Sequence, residues 1–359
     1  YSTDFYLLAF NVARLSGDPE AHRFKDAALR QARYLRAITD DRGRIPLIGD
    51  DDGGQLFPIC GRRPWDCADT LATAAVLLDE PSLATGPVPE ETYWLCGGVE
   101  IGDLADVPSR YHSANLAASG YCVSRNAKGD HLVFDCGRHG YLNGGHAHAD
   151  ALSITLTIAG RPFLIDSGTA TYTMDRLARD RFRSSQMHNT VVVNGRTQSE
   201  TDGPFHWRTR TNAEQLAWRS DPEMDFMVGQ HSGFDPFIHR RGITAVHGAG
   251  WVIVDWIVGP SAASATAHWH IHPDWTLEHV AHGRATLMHV DGAKVVVLSS
   301  SPLQEANGLG EYAPEYGRIE RGTCLAATVH GQGPISLRTV IAPADTLDRI
   351  LSLASSVHS

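Results

Sequence analysis

The chain has 359 residues, with 31 basic against 41 acidic side chains and a formal charge of −10. Nucleic-acid binders usually carry a basic face, so this balance argues against nucleic acid as the main partner. With 42% hydrophobic and 20% charged residues, the composition is that of a globular chain with a buried core.

No window approaches the roughly 18 consecutive apolar residues of a membrane span, and no charged-then-apolar leader opens the chain. It starts at Tyr1-Ser2-Thr3-Asp4 without Met and runs directly into a helical pattern, so a piece of a longer protein is expected. The cysteines at 60, 67, 96, 122, 136 and 324 form no C-x-x-C pair, and free thiols are expected. Only His22 of 19 histidines precedes residue 112.

The first 80 residues read as helices. Phe5, Leu8, Val12 and Leu15 repeat at three and four, predicting one buried face of a helix that ends at Ser16-Gly17. Asp18-Pro19 restarts the chain as N-cap and first helical position, and Phe24, Ala28, Leu35 and Ile38 mark a second stripe. A third helix is expected from Asp66 to Leu78. Between the second and third lies a long loop with Asp50, Asp51 and Asp52, whose adjacency lacks the alternate spacing of a calcium loop and reads as a solvated turn.

From 81 to 108 the pattern dissolves into Pro, Gly and acids, as in a linker. From 109 to 359 the period becomes two. Segments such as 131–136, 152–158, 190–193, 251–258 and 294–298 are short, rich in β-branched and aliphatic residues, and bounded by turn residues. More than a dozen of them predict a large antiparallel β-sandwich behind paired helices of an α-hairpin array or toroid.

The densest chemical signal is Gly144-Gly145-His146-Ala147-His148-Ala149-Asp150. In an extended segment the two imidazoles share one side, roughly 6 to 7 Å apart, as suits two ligands of one metal or one ligand beside a catalytic group. Asp166 ends an apolar strand and His188 begins another; two imidazoles and a carboxylate fit zinc by ligand type. If Gly160-Arg161 turns a straight hairpin, however, His148 lies about 23 Å from the level of Asp166, so the approach to the strand must bend.

Four ordered motifs resemble the heparinase II/III family of polysaccharide lyases: G-G-H-x-H-A-D-A-L-S at 144–153, L-I-D-x-G-T at 164–169, R-x-x-x-x-H-N-T-V at 183–191 and Q-S-E at 198–200. The Pro46 to Asp50 loop and the opening helix are weakly similar to the end of the family's (α/α) toroid. The resemblance implies an α+β architecture, the C-terminal part of such a toroid (1–80) followed by the sandwich.

It further implies that His146 is catalytic and that His148, Asp166 and His188 hold Zn2+, which fastens the loop presenting His146. The implied reaction is β-elimination on an acidic, uronate-containing polysaccharide, with a general base for the C5 proton and a general acid for the departing oxygen. The family's toroid tyrosine aligns with Phe5, and Tyr6, one place on, takes its role here, with Tyr1 the second choice. The family residue that neutralises the substrate carboxylate lies upstream of the matched positions.

Arg176, Arg179, Arg181 and Arg183 form a basic run with Asp175 and Asp180 inside it, which reads either as a grip for a polyanion, with Arg183, five residues from His188, the candidate, or as a solvated strand edge with internal ion pairs. His268, His270 and His272 alternate without an evident carboxylate and read as structural. Trp207, Trp251 and Trp269 suit either sugar stacking or a core. Two other readings stand beside the lyase: a non-catalytic glycan-binding protein, and a metal-dependent hydrolase with an activated water. An acidic glycan as substrate implies a periplasmic or secreted protein.

Overall fold

The computed structural model describes residues 1–54, 56, 65–97 and 112–356. The chain divides into two compact units, Tyr1–Pro46 with Asp51–His112, and Leu47–Asp50 with Ser113–Ser359.

The first unit is built from α1 (Ser2–Leu15), α2 (Ala21–Ile38), α3 (Ala68–Leu78) and α4 (Glu90–Cys96). In α1 the expected stripe is on the wrong face: Phe5, Val12 and Leu15 are more than half exposed, while Leu7, Phe10, Asp4 and Asn11 are buried. The buried polar groups are satisfied, Thr70 Oγ1 donating to Asp4 Oδ1 at 2.7 Å and Asn11 Nδ2 to Leu95 O at 2.6 Å. Reading hydrophobicity alone misassigns such a helix, because a paired buried polar side chain costs little. α2 starts two residues after Pro19, since Asp18 Oδ1 accepts Glu20 N in a turn ahead of the helix. The expected linker carries a 3-10 turn at Pro81–Leu83 and then α4, which buries Glu91, Thr92 and Cys96. Residues 98–108 of that expected linker, and Cys60, lie outside the described residues. Among the described residues the other five cysteines are free.

The second unit begins with β1 (Ala114–Leu116), β2 (Tyr121–Arg125), β3 (His131–Asp135), β4 (Ile154–Ile158) and β5 (Arg161–Leu164). The basic run is not a strand edge: it forms helix α5 (Arg176–Phe182), whose N-cap Asp175 accepts Ala178 N. After β6 (Val191–Val193) come β7 (Glu214–Ser220), β8 (Met224–Phe234), β9 (Phe237–Val246), β10 (Gly250–Val258) and β11 (Ala263–Ile271). Then follow β12 (Trp275–Ala281), β13 (Arg284–His289), β14 (Lys294–Ser299), β15 (Leu303–Glu305), β16 (Glu311–Glu315), β17 (Arg318–Arg321), β18 (Thr323–Gly331), β19 (Ile335–Pro343) and helix α6 (Leu347–Ser356).

The strands pair antiparallel in two large sheets. One runs β1-β2-β3-β4-β5-β11-β18-β15 with β6 also on β11, the other β12-β13-β14-β19-β10-β9-β8-β7; β16 and β17 form a separate ribbon. Alternate residues of the large sheets, among them Phe134, Leu156, Met227, Ile243, Ile253, Trp269 and Leu325, form one buried core. Trp251 and Trp269 belong to it, which settles their alternatives in favour of packing. Extending the alternating reading from strand to sandwich works for strands such as β4, β8 and β10, which have one buried and one wetter face, whereas β2, β3 and β6 are buried almost throughout.

Candidate active site

Three strand ends of the first sheet carry the site. β4 starts only at Ile154, and residues 145–153 fold back as a loop rather than extending the strand. The 23 Å separation of a straight hairpin is thereby removed, and the candidate ligand atoms of His148, Asp166 and His188 lie within 4.8 Å of one another, all three residues buried.

The local sequence explains how each is held. Asn189 donates its Nδ2 to Ile154 O and Ile165 O, both at 2.8 Å, and its Oδ1 accepts His270 N at 2.7 Å, pinning His188 to β4, β5 and β11 at once. Thr190 Oγ1 donates to Ala151 O at 3.0 Å. After Asp166, Ser167 Oγ donates to Met187 O at 2.7 Å, and Gly168, at φ +71°, admits Ala313 O where a Cβ would sit.

The ring nitrogens show whether these residues suit a metal. His188 Nδ1 donates to Asp166 Oδ2 at 2.7 Å and His148 Nε2 to Asp50 Oδ1 at 3.0 Å. The opposite nitrogens, His188 Nε2 and His148 Nδ1, are buried without a partner among the described residues. A neutral imidazole with one N–H on a carboxylate and a bare lone pair on the other side is the state a metal ligand needs. Burial alone would lower the pKa of His188, but the charge and hydrogen bond of Asp166 outweigh it and raise it. Burial holds Asp135 and Asp150, next to this group, above the usual carboxylate range.

Asp50 corrects the reading of a solvated acidic turn. Its side chain is fully buried and joins four residues of the β-unit through five hydrogen bonds. Oδ1 accepts His148 Nε2, Thr169 Oγ1 at 3.1 Å and Arg179 Nη1; Oδ2 accepts His146 Nδ1 at 3.1 Å and Arg179 Nη2 at 2.6 Å. Burial pushes its pKa up, but His148 and Arg179 hold it well below the usual range. The backbone fits as closely: Asp50 N donates to His146 O at 2.8 Å, and Gly49, at φ +59°, leaves room for that carbonyl.

His146 stands apart from its buried neighbour. Its side chain is 72% exposed, with Nδ1–H on Asp50 and Nε2 therefore the free acceptor. It opens onto a cleft of about 1760 Å³ lined mainly by loops 117–121, 135–150 and 205–215. Tyr172 and Phe205 flank its ring at 6.4 and 5.8 Å. His139, on the cleft wall, is pushed down to about 4 by burial and by Arg210 beside it.

Arg183 does not face the cleft. It is fully buried, with Nη2 on Asp180 Oδ1 and Gly203 O, both at 2.8 Å, and its guanidinium 4.8 Å from the Trp207 ring centre. Helical spacing from Arg179 to Arg183 turns both inward, which a strand reading cannot foresee. The arginines on the cleft are Arg138, Arg208 and Arg210. Tyr6 belongs to the helical unit, half-buried against the cluster of Leu7 and Phe10, and Tyr1 is exposed.

Residues 108–343 match the family model for the heparinase II/III-like C-terminal region, about two thirds of the chain. The chain belongs to the heparinase II/III-like family. Among its relatives, a heparin-sulfate lyase of Bacteroides stercoris is 24% identical over 164 residues, 45% of this chain and 23% of the relative. A heparin-sulfate lyase of Pedobacter heparinus is 21% identical over 132 residues, 36% of this chain and 18% of the relative. A crystal structure of a heparan sulfate lyase HepC mutant from Pedobacter heparinus shares the fold, with TM-score 0.74 and 16% identity over 95% of this chain and 51% of that one. This heparinase II/III-like chain thus spans about half of that structure and a smaller share of the two curated lyases.

Proposed function

We propose that the chain is the C-terminal part of a polysaccharide lyase that cleaves a uronate-containing glycosaminoglycan or similar acidic polysaccharide by β-elimination. The observation that carries this reading is His146: its Nδ1 is held by the buried Asp50, its Nε2 faces the cleft, and its neighbour but one belongs to a buried His-Asp-His group with two bare imidazole nitrogens.

In the reaction, His146 Nε2 takes the C5 proton of the uronate. The electron pair left behind forms the C4–C5 double bond, the bond from C4 to the glycosidic oxygen breaks, and that oxygen receives a proton. The helices are read as the end of an (α/α) toroid, and Tyr6 as the group that gives this proton. Asp50 stabilises the imidazolium that forms on His146, as a carboxylate behind a catalytic histidine does. His148, Asp166 and His188 would hold zinc, and its charge would fasten the loop between Gly145 and Asp150; the elimination consumes no water and needs none activated. The location that fits such a substrate is the periplasm or the outside of the cell.

The test is incubation of the protein with acidic polysaccharides. Ultraviolet absorbance from an unsaturated uronate is the expected outcome. New reducing ends without that absorbance would instead indicate a hydrolase, and retention without cleavage a binder. His146→Ala is expected to abolish turnover with zinc retained, and His188→Ala to lose the metal; equal zinc content in the wild type and His188→Ala would sink the ligand assignment.

A further inference from the structure

One wall of the cleft is built with features that the proposed reaction leaves unused. Loops 137–144 and 207–213 are stapled together: Trp207 Nε1 donates to Gly144 O at 2.7 Å, Arg210 Nη1 to Leu142 O at 2.8 Å, His139 N to Asn212 Oδ1 at 2.9 Å and Ala213 N to Gly137 O at 2.8 Å. On this frame Tyr141 and Leu142 are 86% and 77% exposed. Leu142 also has φ +51°, a conformation that costs a side-chain-bearing residue about 1 kcal/mol or more. Neither exposed apolar surface nor left-handed backbone assists folding, and both are maintained by a carbonyl held by Arg210.

The charges on the same wall point outward. Arg138 is exposed and has no ion-pair partner among the described residues. Arg208 is 66% exposed and reaches Glu200 and Asp202 only at 4.0 and 3.6 Å, while the exposed Arg210 donates to a carbonyl rather than to a carboxylate. Of the acids that line the cleft, Asp135 and Asp150 are half-buried and Glu214 is engaged by Gln230. Three guanidinium groups therefore face solvent beside one exposed aromatic ring.

We propose that this wall is a saccharide subsite for an anionic sugar: Tyr141 packs on the face of the ring, and Arg138, Arg208 and Arg210 take its carboxylate or sulfate substituents. An aromatic face covers the apolar C–H side of a pyranose, and guanidinium forks match both planar carboxylate and sulfate oxygens. The inference rests on the reading of the cleft as a glycan site, and it adds which wall selects charge and which residue grips the ring.

Calorimetric titration of the full chain with heparin oligosaccharides, hyaluronan oligosaccharides and dextran, each over a series of salt concentrations, tests it. Preference for heparin assigns the arginines to sulfate, and equal binding of hyaluronan assigns them to carboxylate; dextran is expected not to bind. Arg138→Ala, and Arg208→Ala, which removes only two long, exposed ion pairs, are expected each to weaken binding about 3- to 10-fold and to flatten its salt dependence. Tyr141→Ala is expected to weaken it about tenfold at every salt concentration, and Arg219→Ala, an equal loss of charge at a residue that does not line the cleft, to leave it unchanged. Failure to bind either acidic glycan, equal binding of dextran, or wild-type affinity in the three variants overturns the subsite. Formation of unsaturated product with wild-type KM in those variants removes the subsite and keeps the lyase. Arginine- and tyrosine-dependent binding without unsaturated product does the reverse.

Discussion

Asp50 is placed where one carboxylate serves an exposed imidazole, a buried imidazole and a buried guanidinium. Removing it strands Arg179, which has no exposed surface, so Asp50→Ala is expected to cost about 3–5 kcal/mol in urea unfolding. Asp50→Asn keeps the shape and one acceptor oxygen, and is expected to fold while binding zinc about 10- to 100-fold more weakly, the usual penalty for losing the outer partner of a ligating histidine. Measured zinc affinity equal to that of the wild type would remove Asp50 from the metal's surroundings. In the sequence the residue ends a loop weakly similar to the family's and stands as one of three adjacent acids, and its neighbours Asp51 and Asp52 give it the look of a turn. What distinguishes it is a pair of contacts 96 and 98 residues away in the chain, which no local pattern encodes. His146, His148, Asp166 and His188 stood out through ordered motifs that resemble the family's, since each alone reads as a polar residue at a strand end; the ties made by Asn189 and Thr190 appear only in the fold.

At the scale of elements, the two large sheets are joined at the site by Arg241 of β9. Its Nε and Nη2 donate to Asp255 of β10 at 2.7 and 3.1 Å, and Nη1 to Leu152 O at 2.8 Å and Asn189 O at 2.5 Å. One side chain of the second sheet thus fixes the backbone that follows Asp150 and the backbone that follows His188. Asp255 also accepts His239 Nε2 at 2.7 Å, and His239 Nδ1 accepts His231 Nε2 at 3.2 Å, whose Nδ1 accepts Gly233 N; each nitrogen has a partner, with both rings neutral. Lysine cannot span four acceptors, so Arg241→Lys leaves two buried carbonyls short of a donor. A loss of about 2–4 kcal/mol is expected, read from the urea midpoint, and a change below about 0.5 kcal/mol would contradict the account. Strand positions were readable from alternation, as β10 and β14 show, but the pairing of one sheet with the other through Arg241 depends on register between distant strands. In α1 and α5, by contrast, paired polar side chains point inward, and hydrophobic period alone misread both.

Across the whole molecule, the histidine bias becomes a statement about acid stability. His268 and His270 are neutral inside β11, burial pushing them down to about 4 and about 3, and burial with His239 and Arg241 alongside lowers His231 well below the ordinary value. In the unfolded chain each titrates near 6.5. As pH falls below that value the unfolded chain takes up protons that the folded chain refuses, so stability drops by about 1.4 kcal/mol per pH unit for each such residue until its folded pKa is reached. Burial lowers His139 and His239 as well; His188, whose pKa is raised, acts in the opposite sense, one imidazole against five. Asp255, lowered to about 2 because Arg241 and His239 overcome its burial, withdraws its contribution only between about pH 4 and pH 2. Unfolding free energy measured in urea is therefore expected to decline already between pH 6.5 and 5, before carboxylates of ordinary pKa protonate. His268→Phe removes a ring whose Nδ1 has no partner among the described residues and should reduce that slope by about 1.4 kcal/mol per pH unit; an unchanged slope would show that the buried imidazoles do not govern the acid limb.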